Sequence, residues 1–290
     1  MRVLVASDGS QSSRAALELA LSFPWPPGTQ ARGAVALGRV GWTGTQFRAA
    51  LIRALHASAR ELQRDLARRW PEAAVYELHD SPAQAILGEA RRFRADAVVL
   101  GWRGHGAFAR LLAGSVSRAV AERAKCSVMV VRAGARLPAG GPRRFAIGFD
   151  GSASSRRAIR LLARLAPPRD NAVTLVQVLP PPLSPPLSAV GTELRARIRR
   201  SLERRAAELR RRAQRRMRNA AGVLERRGWQ VSLRLASGDP LHALLAEARR
   251  ARADALWVGA RGATGLAGVL LGSVASGALN QSPIPVLIAR

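Results

Sequence analysis

The stretch Gly259-Ala-Arg-Gly262, followed nine residues later by Gly272-Ser273, decides the fold of this chain, and an earlier stretch repeats it. Gly101-Trp-Arg-Gly104 is likewise followed, after nine residues, by Gly114-Ser115. Each copy comes after a short apolar run and before a helix-like segment, which predicts a strand, a glycine loop and a helix in that order. Free backbone N–H groups and the positive end of the helix dipole favour a phosphate at such a junction. We expect each serine at the N-cap, where its hydroxyl caps the helix or donates to phosphate.

The two loops are parts of a repeat that spans the chain. Residues 3–10 (VLVASDGS) resemble residues 145–152 (FAIGFDGS), 142 positions later. The glycine loops lie 158 positions apart, so the second copy carries extra residues between its first strand and its third. A proline-rich segment at 180–186 and a longer helix after it account for these residues. The chain therefore holds two similar domains in tandem.

Each copy alternates strands with helices. Strands are predicted near 2–7, 33–40, 73–79, 96–100 and 127–132, and again near 144–149, 172–179, 229–236, 254–258 and 284–289. Helices are predicted near 11–22, 44–69, 82–94 and 115–125, and again near 153–165, 191–227, 240–252 and 273–281. Continuous Val, Ile and Leu runs between helices are typical of a parallel sheet buried on both faces. We expect two α/β domains, residues 1–132 and 143–290, each with a five-stranded, mainly parallel sheet flanked by helices.

Local signals mark the ends of several elements. Ser10 and Ser152 are predicted N-caps, and Pro82 and Pro240 suit the first turns of their helices. The segment 133–142, rich in Gly, Ala and Pro, is the predicted linker between the domains.

The chain is strongly basic, with a net charge of +28 over 290 residues. Such a charge suits a nucleic-acid binder. However, Lys125 is the only lysine, and abundant arginine with alanine and glycine also reflects a GC-rich genome. Aromatic residues make up 4% of the chain, which leaves few platforms for stacking on bases. Nucleic acid is therefore not the partner that we expect.

The sequence also bears on the compartment. The chain begins with a strand-like run at 2–6, which leaves no room for a signal peptide. Residues 262–289 carry no charge, but their Gly, Ser and Pro content argues against a membrane span. Cys126 is the single cysteine, so no internal disulfide can form. We expect a cytoplasmic protein that does not bind membranes.

Segment 191–227 is the longest predicted helix. Its apolar stripe is formed by Leu194, Ile198, Leu202, Leu209, Ala213 and Leu224. The remaining positions are mostly arginine. Two interpretations stay open: a surface for acidic partners or membranes, and a solvated helix back, which we favour.

With these motifs in place, the sequence resembles a tandem universal stress protein, with two domains of that family in one chain. The glycine pattern of both loops is that family's nucleotide-binding signature. The resemblance implies a Rossmann-like (adenine nucleotide alpha hydrolase-like) domain in each half and binding of ATP, ADP or AMP, with or without Mg²⁺. It also implies that the final strands, at 128–131 and 285–288, pair so that the two halves form a pseudo-dimer; a homodimer stays open.

The resemblance also assigns residues to the nucleotide. The residues implied in the first half are Asp8, Val40, Gly101, Arg103, Gly104, Gly114, Ser115, Val116 and Ser117. Those in the second half are Asp150, Val178, Gly259, Arg261, Gly262, Gly272, Ser273 and Val274. The two aspartates stand beside the nucleotide, Val40 and Val178 flank the adenine, and the loops hold ribose and phosphates. Ala275 replaces the hydroxyl of Ser117 in the second copy, which is expected to weaken that site.

Three loop residues have alternative interpretations. Arg103 and Arg261 suit bidentate contacts with phosphate, but a solvent-facing arginine is as good an interpretation in so basic a chain. His105 lies in the first loop, where a histidine without a function is the simpler interpretation.

Little in the sequence indicates catalysis. The Walker pattern is absent, and the four histidines and the cysteine show no metal-binding spacing. Asp8 or Asp150 could hold Mg²⁺ against phosphates, or could cap the entry to a helix. We expect a nucleotide-binding stress or signalling protein. A slow ATP hydrolase or nucleotidyl transferase is one alternative, and an interaction or nucleic-acid module with relic loops is the other.

Overall fold

The computed structural model describes residues 1–36, 45–78, 81–102, 114–135, 138–181, 192–262 and 271–290. The first half contains strands β1 (Arg2–Ser7), β2 (Gln30–Ala36), β3 (Ala74–Leu78), β4 (Ala97–Gly101) and β5 (Ser127–Val131). Its helices are α1 (Gln11–Ser22), α2 (Thr45–Ala67), α3 (Pro82–Arg92) and α4 (Ser115–Arg123).

The second half repeats this order. Its strands are β6 (Arg144–Gly148), β7 (Ala172–Leu179), β8 (Val231–Ser237), β9 (Ala255–Gly259) and β10 (Val286–Ala289). Its helices are α5 (Ala153–Leu162), α6 (Thr192–Glu225), α7 (Pro240–Arg250) and α8 (Ser273–Gln281). The predicted alternation of strands and helices is confirmed in both halves.

Element ends follow local chemistry. Ser10 and Ser152 are N-caps, and their side-chain oxygens accept from the backbone N–H of Ser13 and Ser155 at 3.1 Å. Proline stands in the first turn of α3 and of α7, as predicted. One strand differs from its prediction, because β2 begins earlier than expected and is described only to Ala36.

The strands described form one sheet in the order β3-β2-β1-β4-β5-β10-β9-β6-β7-β8. Within each half all neighbouring strands are parallel. The halves join where β10 pairs antiparallel with β5, with Leu287 opposite Met129. The prediction that the final strands pair is therefore confirmed, and two potential sheet edges are covered inside the chain.

Helices cover both faces of the sheet. Apolar residues of α1, α2, α5 and α6 pack on one face in a core cluster that runs through both halves. Residues of α3, α4, α7 and α8 pack on the opposite face in a second such cluster. Because each face is covered, alternate strand residues are buried in opposite directions, which explains the continuous apolar runs in the sequence.

Aromatic rings cross the junction on the first of these faces. Phe23, which follows α1, is fully buried. Its ring centre lies 4.5 Å from that of Trp25, 6.0 Å from that of Phe145 and 6.3 Å from that of Trp257. Phe145 and Trp257 belong to β6 and β9. A side chain of the first half is therefore part of the core beneath the second half.

The long helix α6 is only partly packed. Its buried residues are Ala213, Met217, Ala221 and Leu224, all in its C-terminal part. Near its start Leu194 is 55% exposed, and Leu209 is 43% exposed. The predicted apolar stripe is therefore a core contact only from Ala213 onward, because the helix extends beyond the strands that it covers.

Candidate functional site

The candidate sites lie where the strand order of each half reverses. From β1 the chain goes to β2 on one side and later to β4 on the other, and β6, β7 and β9 repeat the arrangement. Adjacent parallel strands with crossovers on opposite faces leave a crevice at their carboxyl ends. Both glycine loops leave the sheet at this crevice, since they follow β4 and β9 directly.

A tight turn after β1 and after β6 forms one wall of each crevice. The Oδ1 of Asp8 accepts from the Ser10 N–H at 3.1 Å, and the Oδ1 of Asp150 accepts from the Ser152 N–H at 2.9 Å. These aspartates hold the turn and do not cap the helix, because the N-cap is the serine two residues later. The residue between the aspartate and the serine is Gly9 in the first half, with φ of 75°, and Gly151 in the second, with φ of 78°. This conformation favours glycine.

The first glycine of each loop is required for packing. A Cβ on Gly101 would lie 2.6 Å from the hydroxyl oxygen of Ser12, in the first turn of α1. A Cβ on Gly259 would lie 2.7 Å from the Cβ of Ser154, in the first turn of α5. These glycines therefore let a helix N-terminus approach the end of the strand.

The end of the first loop is held by a serine hydroxyl. Ser117 is buried, and its Oγ donates to the carbonyl of Trp102 at 2.8 Å and to that of Gly114 at 3.2 Å. Gly114 has φ of 80°, and a Cβ on it would lie 3.0 Å from the Trp102 ring. The Ser117 hydroxyl therefore serves the loop's own backbone. The expectation that Ser117 also contacts the ligand stays a prediction.

At the end of the second loop, the carbonyl of Ala260 corresponds to that of Trp102 in the first loop, but it accepts from a different donor. The N–H of Gly272 donates to the Ala260 carbonyl at 2.8 Å. Gly272 has φ of −69°, and among the described residues the atoms nearest to an added Cβ would be 3.5 Å away. Ala275 is buried and needs no hydroxyl here. The absence of the serine hydroxyl in this half is thus compensated within the loop itself.

The expectation that Ser115 and Ser273 are N-caps is wrong. The N-cap residues are Gly114 and Gly272, and neither helix has a side-chain cap bond. Both serines are the first helical residues and are exposed, and Val116 and Val274 follow them, partly buried. The N–H groups in the first turn of a helix have no intrahelical acceptor. Each helix therefore presents an exposed hydroxyl at the crevice, together with N–H groups that have no acceptor within the helix.

The second crevice brings its aspartate to the loop. A Cβ on Gly262 would lie 3.2 Å from the Oδ2 of Asp150, so the carboxylate stands against the loop backbone. The hydroxyl of Ser152 donates to the Arg261 carbonyl at 3.3 Å. Arg261 and Gly262 are exposed. Val178 is partly buried near the end of β7, the neighbouring strand. The second half therefore brings the Asp150 carboxylate and the loop backbone together at the carboxyl edge of the sheet.

Some predicted residues lie outside the described residues. They are Val40, Arg103, Gly104 and His105. Within the described ranges no group of three or more His, Cys, Asp and Glu side chains is arranged to hold a metal. None of the helices described is long and apolar enough to cross a bilayer.

Two arginines beside the loops were missed by sequence reasoning. Arg132 follows β5 and Arg290 follows β10, and they are 158 positions apart, like the loops. Arg290 Nη2 donates to the carbonyls of Ala121 (2.6 Å) and Glu122 (2.7 Å), and Arg132 Nη2 donates to those of Leu279 (2.7 Å) and Asn280. Each arginine thus caps the last turn of the other half's glycine-loop helix. Their separation of 158 positions, the same as that of the glycine loops, is the sequence signal that could have identified them.

The arginine at 290 also lies near the second loop. Burial lowers the pKa of Arg290, and the positive charges of Arg261 and Arg157 lower it further. In the first half, the Arg132 guanidinium lies 5.0 Å from the ring centre of Trp102. Both arginines therefore neighbour the loop of their own half.

The lone cysteine is expected to react slowly. Burial raises the pKa of Cys126 to about 11. An unfolded cysteine has a pKa of about 8.5, so at pH 7.5 the folded protein has ~300-fold less thiolate. Alkylation with iodoacetamide at pH 7.5 should be at least ~10-fold slower than in concentrated urea. The neutral thiol stabilises the fold below about pH 8.5, and this contribution falls as pH rises toward 11.

A Cys126→Ser variant, which should not be alkylated, is the control for this measurement. Equal alkylation rates in the folded and unfolded protein would contradict the prediction.

Comparison with known proteins identifies the family. The model of the universal stress protein family matches residues 1–132 and 142–290. Universal stress proteins of Mycobacterium tuberculosis and Mycobacterium bovis are each 32% identical over 216 residues, covering 68% of this chain and 62% of the relative. The match thus spans less than two thirds of the length of these relatives. The chain belongs to the universal stress protein family.

Solved structures have the same fold. A universal stress protein from Archaeoglobus fulgidus matches with a TM-score of 0.70 and 19% identity, over 100% of this chain and 96% of that one. A putative universal stress protein from Pseudomonas aeruginosa matches with a TM-score of 0.61 and 16% identity, over 99% and 92% of the two chains. Two tandem Rossmann-like domains are therefore shown for this chain.

Proposed function

We propose that this universal stress protein binds one adenine nucleotide in each half and that the nucleotide is a regulatory ligand. One observation carries the proposal: in both halves a glycine-containing loop enters a helix N-terminus at the reversal point of the strand order. Backbone N–H groups and the helix dipole converge there on one place, which favours an anion. The adenine preference follows from the resemblance of the loops to the family's nucleotide signature.

The parts of the nucleotide have separate supports in the second half. The first turn of α8, at Ser273 and Val274, would hold the terminal phosphates. Asp150 at Gly262 would hold Mg²⁺ or the ribose, since its Oδ2 is directed to the loop. Val178 near the end of β7 would flank the adenine. Asp8, Ser115 and Val116 would take the corresponding roles in the first half.

The chemistry available favours binding over turnover. Contacts that hold ground-state phosphates as tightly as the transition state do not accelerate hydrolysis, and we expect the backbone N–H groups of these loops to act in this way. The carboxylates of Asp8 and Asp150 already accept a backbone N–H in their turns. A ligand that binds only the folded state would still stabilise each half, by about 2.7 kcal/mol at a hundredfold excess over Kd.

Calorimetric titration of the full chain with Mg-ATP tests the proposal. We expect two nucleotides per chain and weaker binding in EDTA. Multiple-turnover assays should give an ATP hydrolysis rate below ~1 s⁻¹, the lower end of the ordinary enzyme range. A faster rate would favour the hydrolase or nucleotidyl transferase interpretation. Absence of nucleotide binding, together with salt-dependent DNA binding, would favour an interaction module.

A further inference from the structure

We propose that Arg132 and Arg290 position the two glycine loops and couple them, so that nucleotide bound in one half strengthens binding in the other. The inference rests on the proposed function, because it concerns regulation of the same two sites. Its basis is the reciprocal contact between the halves on the α4 and α8 side of the sheet.

Each arginine holds the helix on which the other half's site is built. The guanidinium of Arg290 caps the last turn of α4, and that of Arg132 caps the last turn of α8. Both helices are nine residues long and begin at the N-caps Gly114 and Gly272. A cation at the C-terminus and an anion at the N-terminus both complement the helix dipole. Arginine and nucleotide therefore favour the same ordered position of the helix.

Each arginine is also adjacent to the anchor of its own loop. The carbonyl of Val131, just before Arg132, accepts from the Trp102 N–H at 2.7 Å. The carbonyl of Ala289, just before Arg290, accepts from the Ala260 N–H at 3.0 Å. Trp102 and Ala260 are the first residues after β4 and β9. The residue that anchors one loop and the residue that caps the other loop's helix are thus consecutive in the chain.

The caps give the coupling its sign, because arginine and nucleotide favour the same ordered helix, and the charges around Arg290 act in the same direction. Arg261 belongs to the second loop, and its guanidinium repels that of Arg290. A phosphate at the second loop would offset this repulsion and strengthen the hold of Arg290 on α4. When α4 is already ordered, nucleotide binding at the first site loses less conformational entropy. Binding in the two halves is therefore positively coupled.

The test is a double-mutant cycle on the full chain, measured by calorimetry with Mg-ATP. Gly272→Val is expected to block the second site, because the added side chain stands at the N-cap of α8, where the phosphates would bind. We expect it to raise the Kd of the first site at least ~5-fold, the lower range of allosteric coupling. In the Arg132→Gln/Arg290→Gln background the same substitution should change that Kd less than ~2-fold. Arg118→Gln, on α4 but paired with Glu122 at 2.9 Å, is the matched control and should preserve the full effect.

A merely structural role of the arginines predicts a different result. In that case the arginine substitutions would lower stability, but Gly272→Val would change the Kd of the first site by the same factor with and without them. That result would overturn the proposal. If the wild-type chain binds no nucleotide, the proposed function is wrong. A measurement without ligand then tests whether the two loops are coupled.

That measurement is hydrogen exchange in the last turn of α8. Gly114→Val forces a side chain against Trp102, beside Arg132. We expect exchange at residues 278–281 to rise at least ~5-fold in the wild-type background and to be unchanged in the Arg132→Gln background. Unchanged exchange in the wild-type background would overturn the coupling whatever the ligand.

Discussion

Replacing Phe23 with alanine is expected to lower the free energy of unfolding by about 3–5 kcal/mol. The side chain is fully buried and contacts rings of both halves, with Trp25 on its own side and Phe145 and Trp257 across the junction. The backbone cannot close the cavity easily, because the Ala166 N–H donates to the Pro24 carbonyl at 3.0 Å next to it. Urea unfolding followed by circular dichroism measures the change.

Two further variants make the Phe23 result decisive. Tyr76→Ala, at a ring that is 38% exposed, should cost less than about 1 kcal/mol. Phe23→Leu keeps most of the apolar volume and should remain folded if the alanine variant does not. A loss for Phe23→Ala no greater than that for Tyr76→Ala would show that the shared core does not stabilise the junction.

The Phe23 contact also predicts that the halves unfold together. The ten strands described form one sheet, and the core on the α1 and α5 face runs across the pairing of β5 with β10. A mutation at the junction should therefore shift one cooperative transition and should not separate two.

Much of this architecture follows from local pattern. Apolar strand runs, the N-caps Ser10 and Ser152 and the prolines of α3 and α7 are short-range signals, and the structure agrees with each of them. The antiparallel pairing of β5 and β10 was expected from the family resemblance. The internal repeat doubled this information, since each element was seen twice at a fixed offset.

The disagreements come from backbone geometry that the sequence does not show. Gly114 and Gly272 occupy equivalent positions, yet one has φ of 80° and the other −69°. The difference follows from the donor that holds the loop, a serine hydroxyl in one half and a backbone N–H in the other. Sequence reasoning placed the serines at the N-caps because serine is common there, whereas in both loops the preceding glycine takes that position.

Contacts between distant parts of the chain were also beyond local pattern. Arg132 and Arg290 resemble any other arginine in a chain with 47 Lys and Arg. Their role depends on the pairing of β5 with β10, which brings each one to the other half's helix. Likewise, the apolar stripe of α6 extends back to Leu194 in the sequence, but the helix is buried only from Ala213 onward.

Valine at Gly272 is expected to separate nucleotide binding from folding. Gly272→Val should reduce nucleotide stoichiometry from two to one and change the free energy of unfolding by less than about 1 kcal/mol. Gly272 has an ordinary φ, and the nearest atoms of the described residues lie 3.5 Å from an added Cβ, so we expect the new side chain to block the site at little cost to the fold. Gly88→Ala on α3, where nothing lies within 4 Å of an added Cβ, is the control and should keep both sites.

Gly114→Val should also remove one nucleotide, but it should lower stability as well. The left-handed φ of 80° is strained for a β-branched residue, and the Cβ would lie 3.0 Å from the Trp102 ring, which together cost about 1–3 kcal/mol. We therefore expect Gly114→Val to lose binding because the loop is displaced. Gly272→Val should lose binding because the new side chain occupies the place of the phosphates. Calorimetry and urea unfolding on the two variants give both quantities. If Gly272→Val still bound two nucleotides, the assignment of the second site to this loop would be wrong, because no other change separates that variant from the wild type.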